Sequence, residues 1–170
     1  MADLPTNGDA SIGEVSLRPT VAADEGLLRE LFRQAQPELD QLPEPTRSSL
    51  LDLQYRLQCV RRLSQRPEAR QWTLRVGGDA VGALVLDRSG PTTWLVDLAV
   101  DESWRRRGIA TAALRTVLGD VDGPVALRVR TDDRGSRDLF EAVGFGYRLS
   151  PQLSVGDVEM VYPAGADTRD

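Results

Sequence analysis

Apolar positions along the chain switch between two spacings, every second residue and every third or fourth. This predicts strands and helices interleaved in a mixed α/β fold. A short strand at 15–18 stops at Pro19. A helix over about 24–36 gathers Leu27, Leu28, Leu31 and Phe32 on one face, and the three prolines within 37–45 then enforce a loop. A longer helix over about 47–66 carries Leu50, Leu53, Leu57, Val60 and Leu63 at three- and four-residue spacing, the pattern of a stripe that packs inward. Its other face holds Gln54, Gln58, Arg61 and Arg62, and Pro67 ends it. Strands at 71–76 and 80–87 meet at Gly77-Gly78-Asp79, a tight-hairpin signal. Further strands at 93–100 and 125–130 alternate with helices at 108–118 and 136–143, and strands at 147–149 and 158–162 close the order. Residues 1–13 and 164–170 are small and polar and read as a flexible leader and tail around one domain at 14–163.

The strand at 93–100 runs through a short polar turn into Arg105-Arg106-Arg107-Gly108-Ile109-Ala110-Thr111, where a helix opens. A helix opening offers unpaired N–H groups and the positive end of the helix dipole, a setting that holds phosphate. Gly108 allows close approach of a bulky anion, Ala110 does not block it, and arginines supply forked donors. A diphosphate suits the segment. The Walker pattern is missing, and only Gly108 of a three-glycine dinucleotide pattern is present.

Composition narrows the chemistry. With no histidine, Ser–His and Cys–His nucleophiles and histidine metal sites are excluded, and no metal is expected. Catalysis must draw on carboxylates, tyrosine, backbone groups or water, or do without a general base. Cys59, the single cysteine, forms no internal disulfide and has nothing nearby to activate it, so it reads as a half-buried structural thiol. A net charge of −5 argues against broad nucleic-acid binding, and no apolar run reaches membrane-span length. The first residues lack signal-peptide order, which makes the cytoplasm the default expectation.

The run Arg105-x-x-Gly108-x-Ala110 after a strand resembles the acetyl-coenzyme A signature of the GCN5-related N-acetyltransferase (GNAT) superfamily, Gln/Arg-x-x-Gly-x-Gly/Ala. A second segment, Asp133 to Phe145, is similar to that family's Asn-x-x-Ala-x-x-Leu-Tyr-x-x-x-Gly-Phe, with Leu139, Gly144 and Phe145 matching outright. The element order matches from Val15 to Tyr162. The resemblance implies the GNAT fold, a mixed central sheet of six or seven strands splayed in the middle and flanked by about four helices. It further implies that the main chain of Leu98, Ala99 and Val100 meets the pantetheine arm in that split. Arg105 to Thr111, with Asp133, Ser136 and Phe140, would complete the site for acetyl-CoA or another acyl-CoA.

Three polar positions depart from the family pattern. Phe140 stands where a tyrosine often protonates the leaving thiolate, and phenylalanine has no proton to give. Asp133 replaces an asparagine, and Arg128 falls where some relatives carry a glutamate base. Asp97 is the candidate base, with an ion pair to Arg128 across the split as its alternative role, and Tyr147 or Asp132 is the candidate acid. In the family the acceptor site is shaped by the two early helices and their loop, which points to Glu38, Gln54 and Gln58. The loop charges Glu38, Asp40 and Glu44 suit an ammonium group, or are simply solvated. Trp72 and Trp94 read as core residues.

The expected activity is transfer of an acyl group from acetyl-CoA or a related thioester directly to a primary amine on a small molecule or peptide, by a monomer or homodimer. Two alternatives stay open at this level. One is an acyltransferase fed by an acyl-carrier protein, and the other an inactive regulatory protein that keeps the acyl-CoA site.

Overall fold

A computed structural model of the chain describes residues 14–151 and 153–163, so the leader at 1–13 and the tail at 164–170 lie outside the described residues. In chain order the elements are β1 (Val15–Pro19), α1 (Glu25–Gln34), α2 (Thr46–Gln65), β2 (Arg70–Val76), β3 (Asp79–Asp87), β4 (Thr93–Val100), α3 (Ile109–Gly119), β5 (Val125–Arg130), α4 (Arg134–Val143), β6 (Gly146–Arg148) and β7 (Asp157–Tyr162). Inside the proline-rich loop, Pro37–Gln41 forms a short 3-10 turn that buries Leu39. Proline at the start of such a turn loses nothing, because that N–H has no partner in any case.

The seven strands make one sheet in the order β1-β2-β3-β4-β5-β7-β6, antiparallel except where β4 and β5 run side by side. Leu74, Leu84, Leu95 and Leu127 from the strands pack with Ile109, Leu114, Phe140 and Phe145 into a single core cluster. That core holds α3 and α4 against one face of the sheet, while α1 and α2 meet the other.

The α2 stripe faces the opposite way from the sequence expectation. Leu53, Leu57, Val60 and Leu63 are all more than half exposed, and no residue of α2 is fully buried. Tyr55, Gln58, Cys59 and Arg62 turn toward the sheet instead. The 3.6-residue period holds, but the inward face is polar because it meets a polar pocket rather than the core.

Near Asp24 a buried polar cluster fixes β1 to the start of α1. The Asp24 carboxylate accepts two bonds from Arg18, at 2.9 and 2.7 Å, and others from the Val21 N–H and the Thr73 hydroxyl. Both of its oxygens are therefore hydrogen-bonded, as a carboxylate only 5% exposed requires.

Candidate active site

Strands β4 and β5 begin as neighbours and then part. Thr93, Trp94 and Leu95 pair with Val125, Ala126 and Leu127, and the pairing stops there. Beyond that point β4 stays paired with β3 as far as Val100, and β5 stays paired with β7 as far as Arg130. The sheet therefore opens between two strands that are each held from the outside.

The main-chain groups of β4 divide between its two sides. Asp101 donates to the Val81 carbonyl at 2.9 Å, and the Ala99 carbonyl lies against Gly82, where a Cβ would meet it at 2.5 Å. Alternation along a strand then turns Leu98 and Val100 toward the opening and Ala99 toward β3. Of the three residues expected to meet a pantetheine arm, two direct backbone groups into the slot. Arg105 Nε already holds the Val100 carbonyl at 2.9 Å.

A bulge sets the side chains. Val85 pairs with Asp97 and Leu86 with Leu95, so Val96 is an extra residue on β4. Leu95 and Leu98 both pack into the core below α3, whereas Asp97 and Ala99 line a pocket below α1 and α2. Strict alternation would have placed Leu95 and Asp97 on the same face. Val96 is what delivers the carboxylate to the pocket.

At the mouth of the slot the chain takes left-handed conformations at Arg106 (φ 62°) and Gly108 (φ 76°), the backbone handedness found in turns whose N–H groups gather around an anion. Gly108 caps α3, whose first internal bond is Ala112 N–H to the Gly108 carbonyl at 2.9 Å. The N–H groups of Ile109, Ala110 and Thr111 come before that bond and face outward. A Cβ on Gly108 would meet nothing within 4 Å, so the space above it is open. Ile109, 2% exposed, anchors the helix beneath. These features fit a diphosphate.

The arginines divide their work. Arg105 braces the loop through Val100 and the Gln34 Oε1 (3.3 Å), and the Arg107 guanidinium lies 5.0 Å from the centre of the Trp104 ring. Gln34 also donates to Asp101 and accepts from the Glu102 N–H, tying α1 to the loop.

Between α1, α2 and the sheet lies a pocket of about 100 Å³. Leu28, Leu31, Phe32 and Ala35 form its apolar wall, and Tyr55, Gln58, Cys59, Arg62, Gln71 and Asp97 contribute polar groups. Arg62 Nη2 sits 3.0 Å from Asp97 Oδ2. Protein atoms crowd Asp97 at the pocket floor and push its pKa up, with Arg62 and the Leu98 N–H pulling partly back. Yet 44% of the side chain still faces the pocket space, so a ligand can reach it.

Several expectations need correction. Asp97 pairs with Arg62 and not with Arg128, which instead joins Arg148 on the buried carboxylate of Glu159. Tyr147 is not brought to the slot. It stands on the edge strand β6, beyond β5 and β7, half exposed, and its hydroxyl bonds Glu141, which raises its pKa. Asp132 is bound by Arg130, which lowers its pKa and keeps it ionised near neutrality. Phe140 is 7% exposed and stacks edge-on with Phe145 at 5.6 Å, so it backs the groove as core.

Asp133 and Ser136 are placed together at the start of α4. The Asp133 carboxylate accepts from the Ser136 N–H and hydroxyl, the work of a helix cap. Of the acceptor candidates, Gln58 lines the pocket, whereas Glu38 is exposed on the 3-10 turn and Gln54 lies outside the lining. Asp40 and Glu44 are paired with Arg33 and Arg47. Trp72 packs against the core, while Trp94 lies under the guanidinium groups of Arg66 and Arg128, at 4.5 and 5.4 Å.

Residues 28–145 match the model of the acetyltransferase (GNAT) family. Among solved structures, an acetyltransferase from Thermus thermophilus superposes with a TM-score of 0.64 at 21% identity, covering 88% of this chain and 97% of that one. The PaiA N-acetyltransferase from Thermoplasma acidophilum, in complex with coenzyme A, gives 0.60 at 14% identity over 86% and 97%. The ribosomal-protein-S18-alanine N-acetyltransferase from Escherichia coli gives 0.58 at 14% over 86% and 92%. No curated protein sequence matches the chain. With the family model spanning most of its length, and with the parted strands and the glycine-capped helix in place, the chain belongs to the GNAT acetyltransferase family.

Proposed function

We propose that the protein is an N-acyltransferase that moves an acyl group from acetyl-CoA, or a related acyl thioester, directly to a primary amine. One observation carries the reading. Asp97 stands on β4 just past the point where that strand parts from β5, and the open turn at Gly108 follows the end of the same strand, so a diphosphate-anchored thioester and an amine would meet along β4.

Arg106 to Thr111 would hold the diphosphate through their main-chain N–H groups, and the backbone of Leu98 and Val100 would meet the pantetheine amides. When bound, the donor supplies an activated acyl carbon and a thiolate leaving group. Asp97 takes one proton from the incoming ammonium, directly or through a water, and frees the nitrogen lone pair to form the N–C bond. As the C–S bond breaks, its electron pair goes to sulfur, and the second amine proton reaches that sulfur through water. Thiolates leave readily, since a thiol has a pKa of about 8.5. Positioning by the slot can therefore suffice without a tyrosine at position 140.

The family resemblances support a coenzyme A thioester as donor, and a neighbour of the same fold is described in complex with coenzyme A. The test is thiol release from acetyl-CoA across a panel of amines. Saturable, amine-dependent release is expected. Tight coenzyme A binding with no release under any amine would make the protein a binding module. Weak coenzyme A binding would move the donor to an acyl-carrier protein.

A further inference from the structure

The pocket beyond the slot presents a cation and an anion side by side, and the acyltransferase reading does not itself require the cation. Arg62 Nη2 lies 3.0 Å from Asp97 Oδ2, and its other terminal nitrogen has only a long contact of 3.4 Å to Gln71. Arg62 is 19% exposed, so little solvent reaches its charge. Leu28, Leu31 and Phe32 close the opposite wall.

We propose that the acceptor is a small zwitterion, an α-amino acid with an apolar side chain, held with its ammonium on Asp97 and its carboxylate on Arg62. This rests on the acyltransferase reading and names its substrate class. A plain amine must share the one Asp97 carboxylate with Arg62, which sets two cations on a single anion in a largely buried place, and that is costly. An amino acid brings a carboxylate for Arg62 together with the ammonium for Asp97. Its two charged groups sit about as far apart as Arg62 and Asp97 do now, so the four charges close into an alternating ring. The guanidinium fork suits a carboxylate, and the Leu28, Leu31 and Phe32 wall receives the side chain.

The amine nitrogen then lies beside β4 where the strands part, and the reaction balances as for any amine. One ammonium proton passes to Asp97, the N–C bond forms, the C–S bond breaks onto sulfur, and the second proton reaches the thiolate.

The experiment compares kcat/KM for each standard amino acid with that for its amide, and for leucine with that for 3-methylbutylamine, in the native enzyme and in Arg62→Gln. At least a tenfold preference for one or more apolar amino acids over the matching amide is expected, and leucine is expected to exceed 3-methylbutylamine. In Arg62→Gln both preferences fall toward one, mainly through KM for the amino acid, while the melting curve shows a folded protein. Equal use of amides and amino acids, or an unchanged preference in Arg62→Gln, overturns the zwitterion and leaves the acyltransferase standing. Release of thiol with none of the acceptors overturns both.

Discussion

Asp97 Oδ2 and Arg62 Nη2 lie 3.0 Å apart, joining a bulge-shifted residue of the parted strand to the inward face of α2. That contact places a carboxylate with a raised pKa on β4 just past the point where the strand parts from β5.

Because crowding holds the pKa of Asp97 above the ordinary carboxylate range, its carboxylate is protonated at a higher pH than a solvent-exposed aspartate would be, and an enzyme using it as the proposed base would show this. The acid limb of kcat/KM against pH is therefore expected to break above the range of an exposed aspartate, with rate rising as pH rises through it. Asp97→Asn is expected to lower kcat at least tenfold and to remove that limb. A limb that persists in the variant assigns the titration to another group.

Direct transfer leaves no acyl-enzyme. The chain contains no lysine, and Cys59 is its one thiol and lines the acceptor pocket. Incubation with acetyl-CoA alone should leave the intact mass unchanged by mass spectrometry. A gain of one acetyl group that maps to Cys59 would indicate a covalent relay instead.

The orientation of α2 makes a stability prediction opposite to the one its sequence pattern invites. Leu57 is 56% exposed, so Leu57→Ser is expected to change stability by less than about 0.5 kcal/mol. Leu127 is 1% exposed, and Leu127→Ala should cost about 3 kcal/mol. Chemical denaturation of both variants checks the pair, and a large loss for Leu57→Ser would mean that the stripe is covered.

Burial alone would raise the pKa of Asp24, but the Arg18 guanidinium, the Val21 N–H and the Thr73 hydroxyl together hold it at about 2. The folded value lies below the ordinary 3.8, so the stabilisation is full above about pH 4 and is lost as pH falls through about 2. Asp24→Asn is expected to cost about 2 kcal/mol near neutrality, with the gap to the native protein closing below about pH 3. Denaturation midpoints measured at pH 2, 3 and 7 test this.

Much of the fold was legible because its signals are local. Gly77-Gly78 marks a hairpin, Gly108 and Gly144 mark helix ends, and each strand announces itself by alternation. The Gly108 nest was legible for the same reason, since a glycine after a strand and before a helix has few uses. The acceptor pocket was not. Spacing shows that α2 is a helix but not which way it turns, and the apolar stripe pointed the wrong way. The Tyr55, Cys59 and Arg62 face would have stood out only as a second set at three- and four-residue spacing. No local signal marks the bulge at Val96, which arises from the pairing of β4 with β3 and sets the face of Asp97. The partner of Arg128 is likewise set by the β5–β7 register, which brings Glu159 opposite it.

In the proposed function the main chain around Gly108 holds the diphosphate of a coenzyme A thioester. Calorimetric titration with coenzyme A, of the native protein and of Gly108→Asp, tests it most directly. Aspartate tolerates a left-handed backbone and caps helices well, so the fold is kept while a carboxylate enters the space now open above the loop. Saturable binding to the native protein and at least tenfold weaker binding to Gly108→Asp are expected, with less loss at high salt. Equal affinity for the two proteins would contradict it.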